Sequence, residues 1–174
     1  MKFLVTGGAG FIGSNIVEEL LKRGESVRVL DNFSTGKREN LKDFQKDIEL
    51  IEGDIRSFHI VQKAVKAIDV ILHQAALPSV PRSINDPITS NEVNVVGTLN
   101  ILDAAKENNV KRIVYASSSS VYGDNPELPK HEGMMPNPLS PYAVSKLGGE
   151  NTARYFHGAY KYNIRLGIFF TIFS

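Results

Sequence analysis

The stretch Met1 to Gly13, MKFLVTGGAGFIG, constrains this chain more than any other. Lys2 to Thr6 is a short apolar run of the kind that forms a buried parallel strand, and Gly7-Gly8-Ala9-Gly10-Phe11-Ile12-Gly13 follows at once. A helix is expected next, because Ile12, Ile16, Val17, Leu20 and Leu21 fall on one face and Gly24 supplies a stop. A strand that turns through glycines into a helix gathers backbone N–H groups and the positive end of the helix dipole at one point. An anion belongs there, most simply a pyrophosphate. The spacing Gly7-x-x-Gly10-x-x-Gly13 is one residue longer than the G-x-G-x-x-G dinucleotide fingerprint. Three glycines alone could serve only close packing of helix on strand; the strand before and the helix after favour phosphate binding.

Composition narrows the alternatives. The 174 residues suffice for one domain with a substantial core. A net charge of +1 gives no electrostatic case for nucleic acid or acidic membranes. Without cysteine there is no disulfide or thiolate chemistry, and four histidines without paired spacing argue against a metal site. The first apolar run is too short for a signal peptide and no segment approaches a transmembrane span, so a soluble, cytoplasmic protein is expected.

Ser26 to Leu30 reads as a second strand ending in Asp31-Asn32, where an acidic side chain would grip a ribose hydroxyl pair. A 2′-phosphate about 4 Å from Asp31 would meet a repulsion of roughly 4 kcal/mol at an effective dielectric near 20, which favours NAD over NADP. Ser34, Thr35 and Gly36 suit the adenosine end of the same loop. Ile48 to Ile51 is a third strand; after it, Asp54 can accept from the adenine amino group and Ile55 can cover the ring, with Ser57 capping a helix from Phe58 to Lys66. Asp69 to His73 is a fourth strand. Gln74, Ala75 and Ala76 leave it with little bulk near a cofactor, and His73 reads as a packed strand-end histidine rather than a base. Pro78 to Ser83 reads as an irregular segment rich in donors, in which Arg82 is equally a phosphate ligand or a surface arginine. A helix from about Ile88 to Asn108 carries the stripe Val95, Thr98, Leu99, Leu102 and Ala105, and Arg112 to Ala116 is a fifth strand. Strand and helix alternate throughout, so the expected fold is α/β, a Rossmann-type doubly wound parallel sheet occupying residues 1–174.

The fifth strand runs into Ser117-Ser118-Ser119-Ser120, hydroxyls at the terminus where a nicotinamide would lie. Asp124 to Leu139 carries four prolines and reads as a stiff loop across the site. In Ser140-Pro141-Tyr142-Ala143-Val144-Ser145-Lys146, Ser140 fits an N-cap and Pro141 the first helical position, which stacks Tyr142 and Lys146 on one helical face. Bringing a phenol from about 10 to about 7 needs roughly 4 kcal/mol of phenolate stabilisation, which a neighbouring ammonium and a cationic nicotinamide can supply. A serine would hold the substrate hydroxyl whose proton Tyr142 removes while hydride passes to the nicotinamide.

With these motifs together, the chain resembles the N-terminal half of an extended short-chain dehydrogenase/reductase of the NAD-dependent sugar epimerase/dehydratase family. HQAALPSVPRSINDPIT, SSSSVYGDNPELPK and NPLSPYAVSK are similar to UDP-N-acetylglucosamine 4-epimerases and, slightly less closely, to UDP-glucose 4-epimerases. The resemblance covers about residues 1 to 160. It implies Ser118 as catalytic serine with Ser119 assisting, Tyr142 as base and Lys146 as its partner. It implies NAD contacts at Gly7, Gly10, Phe11, Ile12, Gly13, Asp31, Asn32, Ser34, Gly36, Asp54, Ile55, Gln74, Ala75 and Ala76, and Ser79 and Ser83 facing a sugar nucleotide. It also implies a homodimer formed through the helices 88–108 and 142–160. Ser119 and Ser120 stand where 4,6-dehydratases carry acids, which argues against dehydration, and Val93 replaces a polar residue near the cofactor. The family continues into a substrate domain, whereas Leu166 to Ser174 has the look of a shifted frame or a truncation and ends on an aggregation-prone edge, Ile168-Phe169-Phe170. A 4-epimerase is therefore the leading expectation. An NAD-binding module without turnover is second, and a sibling nucleotide-sugar decarboxylase or dehydrogenase third.

Overall fold

Strands covered on both faces need apolar residues at consecutive positions, and this chain supplies them repeatedly. In a computed structural model describing residues 1–161 and 163–168, they form β1 (Lys2–Thr6), β2 (Ser26–Asp31), β3 (Ile48–Glu52), β4 (Val70–His73), β5 (Arg112–Ser117) and β6 (Ile164–Ile168). All pair in parallel in the order β3-β2-β1-β4-β5-β6. Alternate side chains enter two cores. Leu4, Leu30 and Ile71 join Val61 and Val65 of α2 (Phe58–Val65) and Ile101 and Leu102 of α5 (Gly97–Glu107). Val5 and Val29 join Val17 and Leu20 of α1 (Phe11–Lys22) on the opposite face.

The chain winds outward from β1 to β3 and returns to β4 on the other side of β1, so a crevice opens at the carboxyl ends of β1 and β4. Thr6 lies opposite Leu30 and His73, and His73 opposite Tyr115. The next residues, Gly7, Asp31, Gln74 and Ala116, therefore stand level at the crevice.

Several elements differ from expectation. The helix expected from Ile88 to Asn108 is α4 (Pro87–Asn91), a π turn (Glu92–Val96) and α5 in one run. Of the expected stripe, Thr98, Leu102 and Ala105 are buried and Leu99 is exposed, with Ile101 and Ala104 buried in addition. The segment expected to be irregular holds α3 (Val80–Asn85), started by Ser79, whose side chain accepts from the Arg82 N–H. A 3₁₀ turn at Arg38–Phe44, unforeseen, buries Leu41. The proline-rich loop does not cross the crevice: Met134 packs with Val121 and Tyr122, and the Asn137 N–H donates to Val121 O at 2.8 Å. Helix α6 (Pro141–Tyr160) begins as expected, with Ser140 Oγ accepting from the Ala143 N–H at 3.1 Å. The expected edge at Phe169-Phe170 lies outside the described residues. Among the described residues, no helix is long and apolar enough to cross a membrane.

His73 ties the sheet to the helices behind the crevice. Thr98 Oγ1 donates to Asn94 O at 2.7 Å, so it accepts from His73 Nε2 at 3.1 Å; Nδ1 then accepts from Thr6 Oγ1 at 2.6 Å. Thr6 Oγ1 in turn accepts the Ala75 N–H at 3.2 Å. Burial holds this imidazole neutral, lowering its pKa to about 3. A group that binds its proton less readily folded than unfolded removes stability as pH falls, here from about 6.5 downward. The carboxylates held low by partners, such as Glu49 and Asp69, act only below about 4.5. Between pH 6.5 and 4.5 the chain should therefore lose about 2–3 kcal/mol through His73, and urea titrations of His73→Gln across that window should show the slope removed.

Candidate active site

Gly10 caps α1 without a side-chain hydrogen bond, and the first turn, Gly10 to Gly13, lines the crevice. Two glycines make that placement possible. Gly7 has φ +68°, and a Cβ there would lie 2.7 Å from Ala75 N; a Cβ on Gly13 would lie 2.1 Å from Gly7 O. Asp31 stands beside the turn, one carboxylate oxygen accepting from the Ala9 N–H at 2.9 Å and the other from the Phe33 N–H at 2.8 Å. The acid thus fastens the glycine turn to the tip of β2, and its negative charge remains on the crevice wall.

The crevice is a cavity of about 540 Å³. It brings together Gly7, Gly10, Phe11, Ile12, Gly13, Asp31, Asn32, Ser34, Thr35, Gly36, Asp54, Ile55, Gln74, Ala75 and Ala76 at one side, and Ser118, Tyr142 and Lys146 at the other. Asp54 is held by Arg56 and by Asn32 Nδ2, and the Arg56 guanidinium first of all keeps its carboxyl below the usual range. Val93 lines the wall without a polar atom to offer.

Three expected residues lie elsewhere. Ser119 starts the 3₁₀ turn Ser119–Tyr122 and is not part of the cavity wall. Ser79 is exposed outside it. Ser83 is fully buried; its hydroxyl donates to Val80 O at 2.7 Å and accepts the Tyr142 N–H at 3.0 Å. Instead of facing the crevice, Ser83 fastens the backbone that carries Tyr142.

Burial raises the Tyr142 phenol above its ordinary value, and the nearby Ser118 hydroxyl pulls it part of the way back. The chain's own groups therefore do not make this phenol acidic, and the expectation joins the ammonium to a cationic nicotinamide. Burial also lowers the Lys146 ammonium to about 8, opposed by the Glu150 carboxylate. Ser118 Oγ accepts from both the Ser120 N–H at 3.2 Å and Ser120 Oγ at 2.8 Å, which leaves its own proton to be donated into the cavity.

Sequence reading missed Asn94. From the π turn its side chain accepts from the Leu77 N–H at 2.8 Å and donates to Leu77 O at 3.2 Å and to Ser145 Oγ at 3.0 Å. It thereby fixes the wall after β4 against the helix of Tyr142. An amide within an apolar helical stretch is the only signal that could have marked it.

A dinucleotide meets complementary groups here. Beyond the glycine cradle, Gln74 Nε2 is buried in the wall with no hydrogen-bond partner among the described residues, a donor suited to an external acceptor. The sequence matches the NAD dependent epimerase/dehydratase family over residues 3–174. It is 43% identical to UDP-glucose 4-epimerase of Mycolicibacterium smegmatis over 154 residues, which are 86% of this chain and 49% of that protein. Among solved structures, dTDP-glucose 4,6-dehydratase DesIV of Streptomyces venezuelae, with NAD and TYD bound, superposes with a TM-score of 0.92 at 36% identity, covering 97% of this chain and 55% of that one. UDP-N-acetylglucosamine 4-epimerase of Methanobrevibacter ruminantium, in complex with UDP-N-acetylmuramic acid, gives 0.89 at 38%, covering 95% and 53%. This chain spans about half the length of the relatives it matches.

Lys146 has a consequence for stability. Its folded-state pKa lies below the unfolded 10.5, so folding is penalised below about pH 8 and the penalty fades as pH rises to 10.5. The stability of Lys146→Met relative to the native chain should therefore fall by roughly 2–3 kcal/mol between pH 7 and 10.5, as measured by denaturant unfolding at both pH values.

Proposed function

Because this chain belongs to the NAD-dependent epimerase/dehydratase family, we propose that it carries the NAD-binding and proton-transfer part of a nucleotide-sugar 4-epimerase acting on UDP-sugars of the GlcNAc or Glc type. The observation that carries the reading is one cavity shared by a glycine turn, an acid at the end of β2 and Ser118, Tyr142 and Lys146. NAD would be held by the first turn of α1, Asp31, the Asp54-Ile55 wall and Gln74, and supplies the site with a hydride acceptor and donor. Asp31 favours NAD over the 2′-phosphorylated form by charge.

At the other end Ser118 holds the sugar C4 hydroxyl and Tyr142 takes its proton, assisted by the positive charge of Lys146. With a bound NAD accepting the C4 hydride as Tyr142 takes the proton, the sugar would become the 4-keto form, turn over, and regain the hydride on its other face and the proton from Tyr142, so the reaction would be redox-neutral overall. DesIV resembles this chain equally well in fold, but serines follow Ser118 where dehydratases carry acids. That absence of an acid at 119 and 120 favours epimerisation. An NAD-binding module without turnover is the second reading, which the assay below separates from the first.

The exposed apolar residues Ile88, Leu99, Val144 and Tyr155 on α4, α5 and α6 support a homodimer joined through these helices. Light scattering is expected to return twice the chain mass, and a monomer mass would contradict it. Interconversion of UDP-GlcNAc and UDP-GalNAc, and of the Glc and Gal pair, should be assayed on this chain together with NAD release on denaturation. Turnover that falls about 10²–10⁴-fold in Tyr142→Phe with NAD retained is the expected outcome; NAD without any turnover would leave the binding module.

A further inference from the structure

Lys146 is 3% exposed, and among the described residues no hydrogen-bond acceptor reaches its ammonium. Two other groups attend it. Its Nζ lies 4.4 Å from the centroid of the Tyr115 ring, which is itself buried. One helical turn beyond it stands Glu150, 6% exposed, whose Oε1 accepts from Ser117 Oγ.

The tip of the Tyr115 ring is held against α6 by shape as well as by bonding. A Cβ on Gly149 would lie 2.2 Å from the phenol oxygen, so only glycine admits the ring at that turn. The hydroxyl donates to Lys146 O at 3.4 Å, the backbone of the residue whose side chain the ring supports. Burial pushes the Tyr115 phenol up, so the ring stays neutral and offers an electron-rich face to a cation.

The other groups around Lys146 do not balance its charge. From β4 comes neutral His73; from α5 and the π turn come Thr98 and Asn94, which do not titrate; Tyr142 on α6 is an un-ionised phenol. Arg154, on the far side of Glu150 at 3.7 Å, is exposed and adds positive charge. Glu150 is thus the counter-charge.

We propose that Tyr115 and Glu150 are positioning residues for Lys146: the ring face seats the ammonium at the cavity wall, the carboxylate balances it, and Ser117 ties that carboxylate to the end of β5, next to Ser118. The chemical consequence rests on Lys146 serving Tyr142 as proposed above; the placement itself does not.

The test is a pH titration of Lys146 in the full chain, read by NMR at its ε-carbon, with Lys146→Arg identifying the signal and circular dichroism confirming the fold of each variant. The native chain should titrate near 8. Glu150→Gln should weaken proton affinity about tenfold. Tyr115→Phe should leave it unchanged because the ring remains, and Tyr115→Leu should weaken it at least about threefold. Should Tyr115→Leu fail to fold, perfluorinated phenylalanine at position 115 keeps the ring's shape, reverses the charge of its face and must weaken the affinity likewise. A native titration in Glu150→Gln, or in the ring-altering variants, overturns the proposal. So does an equal loss in Tyr115→Phe, which would make the hydroxyl rather than the ring the operative group. None of these readouts needs turnover, so their failure is distinct from failure of the epimerase reading.

Discussion

The approach of the Gly7 backbone to Gln74 and Ala75 is the constraint on which the crevice depends. At the end of β1 the main chain comes so near the loop that leaves β4 that a Cβ would overlap the Ala75 amide nitrogen. That closeness lets the Ala75 N–H reach Thr6 Oγ1 and lets Thr6 engage His73, so one buried line of hydrogen bonds runs from the glycine turn through β4 to α5. Any side chain at position 7 would separate β1 from the β4 wall, and with it the phosphate-binding end from the proton-transfer end.

The second requirement is to keep charge where water is scarce. Lys146 and Glu150 share a buried stretch of α6, and desolvation acts against the ammonium by an amount that a surface pair would never encounter. The fold answers with an aromatic face, a carboxylate tied to Ser117 and a neutral histidine, and directs the ammonium toward the cavity. Tyr142 shows the limit of this arrangement. Its phenol is raised by burial, so groups of this chain alone hold it protonated, and a base here needs the positive charge of a bound nicotinamide as well.

Much of the site could be read from short stretches, because each such residue acts through local geometry. Glycines at 7, 10 and 13 announce a turn between strand and helix, Asp31 is a strand-end acid, and Ser140-Pro141 sets the helical phase that stacks Tyr142 on Lys146. Ser83 and Ser119 resisted this reading. Whether a hydroxyl faces a cavity or is used up by neighbouring backbone depends on chain segments far away in sequence, and for Ser83 the neighbour is 59 positions on. Asn94 resisted it for another reason: it lies within a π turn, and no periodicity count across 88–108 marks that its amide bonds to Leu77 and Ser145.

By itself the sequence determined the alternation of strand and helix, the parallel sheet, the glycine turn and the identity of the reactive side chains, since these follow from periodicity, backbone freedom and functional-group chemistry within a few residues. Only the tertiary structure decided which hydroxyls open to the cavity, that a tyrosine of β5 lies under Lys146, and which way burial moves each titrating group. Desolvation and ring stacking are properties of how distant segments pack, and a linear chain does not carry them at any single position.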